Sequence, residues 1–194
     1  MEEKYYSDYF KNTSLMFSEL AGDHDSLVKI LEIQQILINA LENKKNIFWC
    51  GNGGSASDAE HLAAELVGRF EKNRVPLNSI ALTTNSSTLT ALSNDFGFDH
   101  IFERQIEALG KSGDVLISIS TSGESVNVIN GILKANSIGI TTVSFLGKNG
   151  GDALKISDNA IVVKSDKTSH IQEAHIAIGQ ALCGQIEKHF AQRN

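Results

Sequence analysis

The chain has 194 residues, 41% of them hydrophobic and 21% charged, which excludes a disordered or fibrous protein and is most economically one domain. Its 17 Lys and Arg stand against 23 Asp and Glu, a net charge of −6 that gives no general attraction to nucleic acid. Sixteen glycines accompany a single proline, Pro76, so the glycines read as tight turns and close backbone approaches and not as a flexible linker.

The opening MEEKYYSDYF has no positive n-region or apolar h-region, so no signal peptide is visible, and no run approaches the ~18 apolar residues of a membrane span. A cytoplasmic protein with no membrane partner is the expectation. Cys50 and Cys183 sit in apolar surroundings far apart in sequence and read as buried, reduced thiols.

Residues 1–44 read as two helices. Tyr5, Tyr6, Tyr9, Phe10, Met16, Phe17 and Leu20 form an apolar stripe, and Asp23 or Asp25 is placed to cap a second helix. That helix carries Leu27, Val28, Ile30, Leu31, Ile33, Ile36, Leu37, Ile38 and Leu41 around well over half its circumference. One domain of this size rarely buries a terminal hairpin so fully, so a subunit interface is expected there.

From residue 45 the chain alternates strand, polar loop and helix. NIFWC (46–50) leads to GNGGSASD and the helix AEHLAAELVGRF, and SIAL (79–82) precedes a helix near 86–93. DVLISIS (114–120) precedes TSGES and a helix to about Ala135. ITTVSFLG (140–147) leads to a short helix near 152–156, and NAIVV (159–163) to a long one from about Ser169 to Phe190. Continuous apolar strands alternating with helices predict a doubly wound α/β sandwich with about five parallel strands. Ligands bind such folds beyond the carboxyl ends of the strands, where both small-residue loops fall.

Four groups of residues are candidates for chemistry. Gly51, Asn52, Gly53, Gly54 and Ser55 join a strand to a helix; exposed N–H groups and a helix N-terminus suit an anion, with a plain tight turn as the lesser alternative. The loop lacks the Gly-Lys-Ser/Thr ending of a nucleotide-binding loop. Ser120, Thr121, Ser122 and Ser125 bring four hydroxyls to a second helix start; a cap needs one or two of them, so a phosphate held by neutral donors is the favoured reading. His61 and Glu65 share a helix face as metal ligands or an acid/base pair would, or as solvated surface would. His170, Gln172, Glu173 and His175 at the head of the last helix read as exposed, and Ser93-Asn94-Asp95 as an ordinary turn.

The order of these pieces resembles the sugar isomerase (SIS) fold, and more closely the phosphoheptose isomerases. CGNGGSASDAEHLAAELVGRF, ALSNDFGFD, GDVLISISTSGESVNVI and IQEAHIAIG are similar to that family's motifs over about residues 45–190. The resemblance implies a cytoplasmic homotetramer that converts sedoheptulose 7-phosphate to glycero-manno-heptose 7-phosphate, often with zinc. It places Asn52, Gly53, Gly54 and Ser55 at the substrate, Asn94 and Asp95 on the sugar hydroxyls, and Ser120, Thr121, Ser122 and Ser125 on the phosphate. It makes His61, Glu65 and Gln172 metal ligands, and Glu65 one of two acid/base residues. The second is a histidine eight residues beyond the glutamine, and that place, also a metal-ligand position, is held here by Gln180.

An amide does not exchange protons near neutral pH, whereas imidazole does. An altered function, a different base, or a change made to trap a complex are all open readings of Gln180. The alternative of another class is a non-catalytic SIS protein, like the replication-initiator-associating proteins; against it, this chain keeps Gly54, His61 and Glu65.

Overall fold

The computed structural model describes residues 2–192. Five strands, β1 (Ile47–Gly51), β2 (Ser79–Ala81), β3 (Val115–Ser120), β4 (Thr141–Gly147) and β5 (Asn159–Val163), form one all-parallel sheet in the order β2-β1-β3-β4-β5. The register pairs Cys50 with Ser118, Ile117 with Val143 and Phe145 with Ile161. The reversal of strand order lies between β1 and β3, whose carboxyl ends carry the glycine loop and the hydroxyl loop. In an open α/β sheet a ligand crevice opens at such a reversal.

The eight α-helices among the described residues are α1 (Glu2–Gly22), α2 (His24–Glu42), α3 (Gly54–Val67), α4 (Ser86–Phe96), α5 (Ile101–Leu109), α6 (Val126–Ser137), α7 (Gly151–Ile156) and α8 (Thr168–Ala191). Alternate strand residues feed two cores. Ile47, Trp49, Ile117, Ile119, Val143 and Phe145 pack with residues of α2, α3 and α8, whereas Phe48, Cys50, Leu116 and Leu146 pack with residues of α5, α6 and α7. The two-residue period of a strand is what splits each apolar run between two faces. Both thiols are buried and free, and burial pushes each up to about 12.

Local boundaries differ from the sequence reading in four places. Helix α3 begins inside the glycine loop, at Gly54, and ends at Val67, so Gly68, Arg69 and Phe70 belong to the following loop. Asn94 and Asp95 are not in a turn: α4 continues through them to Phe96 before Gly97 ends it at φ +90°. Helix α5 was not anticipated, although Ile101, Phe102, Gln105 and Ile106 mark its buried side. The histidines heading α8 are buried, at 4% and 0% exposure for His170 and His175, because this turn of α8 is covered by α1 and by β4.

Asp23 is the cap of α2, its carboxylate accepting the backbone N–H of Ser26 at 3.2 Å. The chain covers more of α2 than expected: Ile33, Leu37, Ile38, Ala40 and Leu41 are buried within it. Leu27, Val28 and Leu31 remain exposed, with Tyr5, Tyr6, Phe10 and Leu15 of α1.

Candidate active site

The glycine loop turns through Gly53, at φ +56°, and starts α3 with Ser55 buried against it. The head of α8 closes over this turn. A methyl group placed on Gly54 would lie 2.6 Å from Gln172 Nε2, so Gly54 and Gln172, 118 positions apart, are neighbours only because α8 returns across the sheet.

In the hydroxyl loop, the buried Ser120 Oγ accepts the backbone N–H of Gly123 at 3.1 Å and Ser122 Oγ accepts that of Glu124 at 3.2 Å. Each hydroxyl keeps its own proton to donate. Ser125 is the cap residue of α6, yet its side chain makes no capping bond. The loop needs glycine at position 123: φ is +69°, and a Cβ there would sit 2.0 Å from the carbonyl oxygen of Gly150. The resulting surface of neutral hydroxyls at a helix N-terminus suits a phosphate monoester.

The two loops are joined by a contact the sequence reading missed. Asn52 Nδ2 donates to Asn127 Oδ1 at 2.8 Å, and Asn127 Nδ2 donates back to Asn52 Oδ1 at 2.9 Å. Asn127 looked like any polar residue of a helix start; its burial, at 2% exposure, is visible only in three dimensions.

On α3, His61 Nε2 and Glu65 Oε1 meet at 3.0 Å, with the His61 side chain 47% and the Glu65 side chain 21% exposed. Half-buried Asp58 lies one turn earlier; burial raises its pKa, and nearby His61 partly offsets this. The carbonyl end of α3 is closed by Arg74, which donates to the backbone oxygens of Glu65 at 2.7 Å, Gly68 at 2.7 Å and Val75 at 3.1 Å.

Behind this arginine, the buried Glu187 accepts backbone N–H groups from Phe70, Glu71 and Lys72 at 2.6–3.0 Å. Burial works against its charge, but those bonds and Arg74 prevail and hold its pKa below the ordinary value. The sequence reading did not single out Glu187; a carboxylate following Leu182, Cys183 and Ile186 on one helix is the signal that marks it.

The head of α8 is braced on both sides. Glu173 accepts hydrogen bonds from Tyr9 Oη and Thr13 Oγ1 of α1, while the ring of His170 meets Tyr9 edge-on at 5.4 Å. His175 Nε2 donates to the Leu146 carbonyl at 2.9 Å, and burial lowers its pKa to about 4. It is a neutral strut and not a replacement proton carrier.

Gln180 is half-buried on α8, one residue beyond Gly179, where a methyl group would lie 2.3 Å from Leu62 Cδ1 of α3. Asn94 and Asp95 are exposed and bonded to each other at 2.7 Å. The structure thus gathers Asn52, Gly53, Gly54, Ser55 and Gln172 and ties them to the loop of Ser120, Thr121, Ser122 and Ser125, whereas no such tie reaches Asn94 and Asp95.

Zinc takes three or four imidazole, thiolate or carboxylate ligands. No group of three His, Cys, Asp or Glu able to hold a metal occurs among the described residues. His61 and Glu65 with the amides of Gln172 and Gln180 do not fit a tightly held zinc ion.

A five-stranded parallel sheet with small-residue loops at its reversal is shared by several doubly wound folds, and the family comparison assigns this one to the sugar isomerase class of domain. The family model of the SIS domain matches residues 8–147. A phosphoheptose isomerase of Aquifex aeolicus is 51% identical over 166 residues, covering 86% of this chain and 87% of that one, and one of Helicobacter pylori is 47% identical over 93% and 98%. The structure of a Neisseria gonorrhoeae phosphoheptose isomerase matches 97% of this chain and 100% of its own at 35% identity, with a TM-score of 0.91. That of a Francisella tularensis phosphoheptose isomerase gives 0.92 at 32% identity over 97% and 99%. The chain belongs to the phosphoheptose isomerase family of SIS-domain proteins.

Proposed function

We propose that this chain is an aldose–ketose isomerase converting sedoheptulose 7-phosphate to D-glycero-D-manno-heptose 7-phosphate, a step toward the activated heptose of bacterial lipopolysaccharide or capsule. The observation that carries the reading is the amide-paired junction of the glycine and hydroxyl loops, with the His61–Glu65 pair further along the helix that the glycine loop starts. The hydroxyl loop takes the phosphate, and Asn52, Gly53, Gly54 and Gln172 take the carbonyl end of the sugar.

In this reading Glu65 removes the C1 proton while the C2 carbonyl oxygen gains one, giving a cis-enediol. The C1 hydroxyl then loses its proton as C2 is reprotonated, so atoms and charge balance. His61, bonded to Glu65, passes protons to and from the oxygens. Gln180 orients the substrate by hydrogen bonding but exchanges no proton. No step is assigned to a metal.

The relatives and the retained Gly54, His61 and Glu65 favour catalysis over a purely protein-binding role. The exposed apolar residues of α1 and α2, Tyr5, Tyr6, Phe10, Leu27, Val28 and Leu31, support assembly as a homotetramer built on these helices. No helix among the described residues is long and apolar enough to cross a membrane.

The test is turnover of sedoheptulose 7-phosphate by the chain and its Gln180→His variant, with light scattering for the assembly. Conversion that is abolished by Glu65→Gln supports the reading. Absence of both binding and conversion in both proteins overturns it.

A further inference from the structure

The geometry points to Asn127 as a positioning residue that aligns the carbonyl-binding loop with the phosphate-binding loop by clamping Asn52. This role rests on the isomerase reading above and extends it to a residue that touches no substrate. Asn127 is 2% exposed, the first turn of α6 holds it directly behind the hydroxyl loop, and its amide forms the reciprocal pair with Asn52 at 2.8 and 2.9 Å.

The orientation of both amides is determined by one backbone group. The N–H of Val128 donates to Asn127 Oδ1 at 2.9 Å, so that end of Asn127 must be the oxygen. Its other end must then be the donor, and Asn52 can answer only with its own amide in the opposite sense. The clamp uses one N–H and one oxygen lone pair of Asn52 and leaves the second of each at the half-buried mouth of the glycine loop. A free asparagine there can flip, presenting oxygen or nitrogen to the sugar at equal cost. A clamped one presents a single donor and acceptor pattern at a set distance from the phosphate site.

That arrangement predicts which kinetic constant depends on Asn127. The hydroxyl loop keeps its phosphate contacts without the clamp, so ground-state affinity is retained, whereas the placement of C1 and C2 relative to Glu65 is lost. Misplacement of a reacting centre by about 1 Å costs on the order of 10²-fold in rate.

The experiment compares Asn127→Ala and Asn127→Asp with the parent, in the chain itself and in its Gln180→His form. Asn127→Ala is expected to lower kcat about 10- to 100-fold, with KM and the affinity for sedoheptulose 7-phosphate within about 3-fold of the parent. In Asn127→Asp the carboxylate sets oxygen against Asn52 Oδ1, and only its protonated form, which regains one donor, restores the pair. The ratio of variant to parent kcat should therefore rise as pH falls from 8 to 6. In side-chain amide NMR, the Asn52 protons should be slow to exchange in the parent and fast in Asn127→Ala.

Unchanged kcat in both variants, a loss expressed only in KM, or a ratio independent of pH overturns the positioning role and leaves the isomerase reading standing. A parent chain and Gln180→His form that neither bind nor convert the sugar phosphate overturn the isomerase reading and this role with it.

Discussion

Gln172 lies so close to Gly54 that no side chain fits between them: a methyl group on Gly54 would come within 2.6 Å of Gln172 Nε2 and 3.0 Å of its Cδ. Both residues are candidates for the carbonyl end of the sugar, one from the start of α3 and one from the head of α8. Because the obstructing atoms end a flexible side chain, Gly54→Ala should displace Gln172 without disturbing the core. Its kcat/KM should fall about 10-fold while the melting temperature stays within about 2 °C, as expected of a small displacement at a positioned group. Calorimetry with substrate and a thermal melt measure the two; an unchanged kcat/KM would remove Gln172 from the site.

Gln180 should be the largest single brake on turnover. A positioned acid or base is worth about 10²–10⁴-fold, so Gln180→His should raise kcat by that range while leaving substrate affinity within a few-fold. The same change adds an imidazole to His61 and Glu65, completing three strong ligands, and should raise zinc affinity at least 10-fold in a competition assay. Full activity in the unaltered chain would show that Glu65 and His61 suffice and that position 180 carries no proton.

The hydroxyls of the loop differ in whether they hold it. Ser122 accepts the Glu124 N–H, whereas Ser125 leaves its capping bond unmade. Ser122→Ala and Ser125→Ala should each weaken sugar-phosphate binding by ~0.5–1.5 kcal/mol, but only Ser122→Ala should also lower the melting temperature. A Ser120/Ser122/Ser125 triple alanine chain that binds like the parent would show that the phosphate sits elsewhere.

Gly123→Ala should damage this loop most. It combines the left-handed backbone, costing ~1–2 kcal/mol for alanine, with a Cβ only 2.0 Å from the Gly150 carbonyl oxygen. A melting temperature lower by at least about 5 °C is expected. Gly53→Ala shares the positive φ but meets nothing within 4 Å, so it should cost only the backbone strain.

His175 makes stability depend on pH in a defined window. Its pKa is lowered from 6.5 to about 4, so the folded chain refuses a proton that the unfolded chain accepts. Stability from this group is complete above pH 6.5 and is lost as pH falls toward 4, by roughly 3 kcal/mol in all. His175→Gln, which can still donate to the Leu146 carbonyl but does not titrate, should flatten that part of the curve. Urea unfolding at pH 7 and pH 5 checks this, and identical slopes for the two proteins would show that His175 is not the source.

The strands, their parallel arrangement in an α/β sandwich and the two small-residue loops at the strand ends were determined by the sequence alone. An apolar run such as that around Trp49 must be covered on both faces, and glycines or hydroxyls directly after such a strand mark the turn into the next helix. Asp23 was likewise readable as a cap because capping is a local bond. What the tertiary structure decided is long-range. Asn127 meets Asn52 across 75 positions, Gln172 reaches Gly54 across 118, and Glu187 crosses more than 110 to hold the loop at Phe70–Lys72. His170 and His175 read as exposed because they share the head of α8 with Ser169, Gln172 and Glu173, yet α1 and β4 cover them. Periodicity and turn chemistry are properties of adjacent residues, whereas burial and the pairing of polar groups depend on which surfaces the fold brings together.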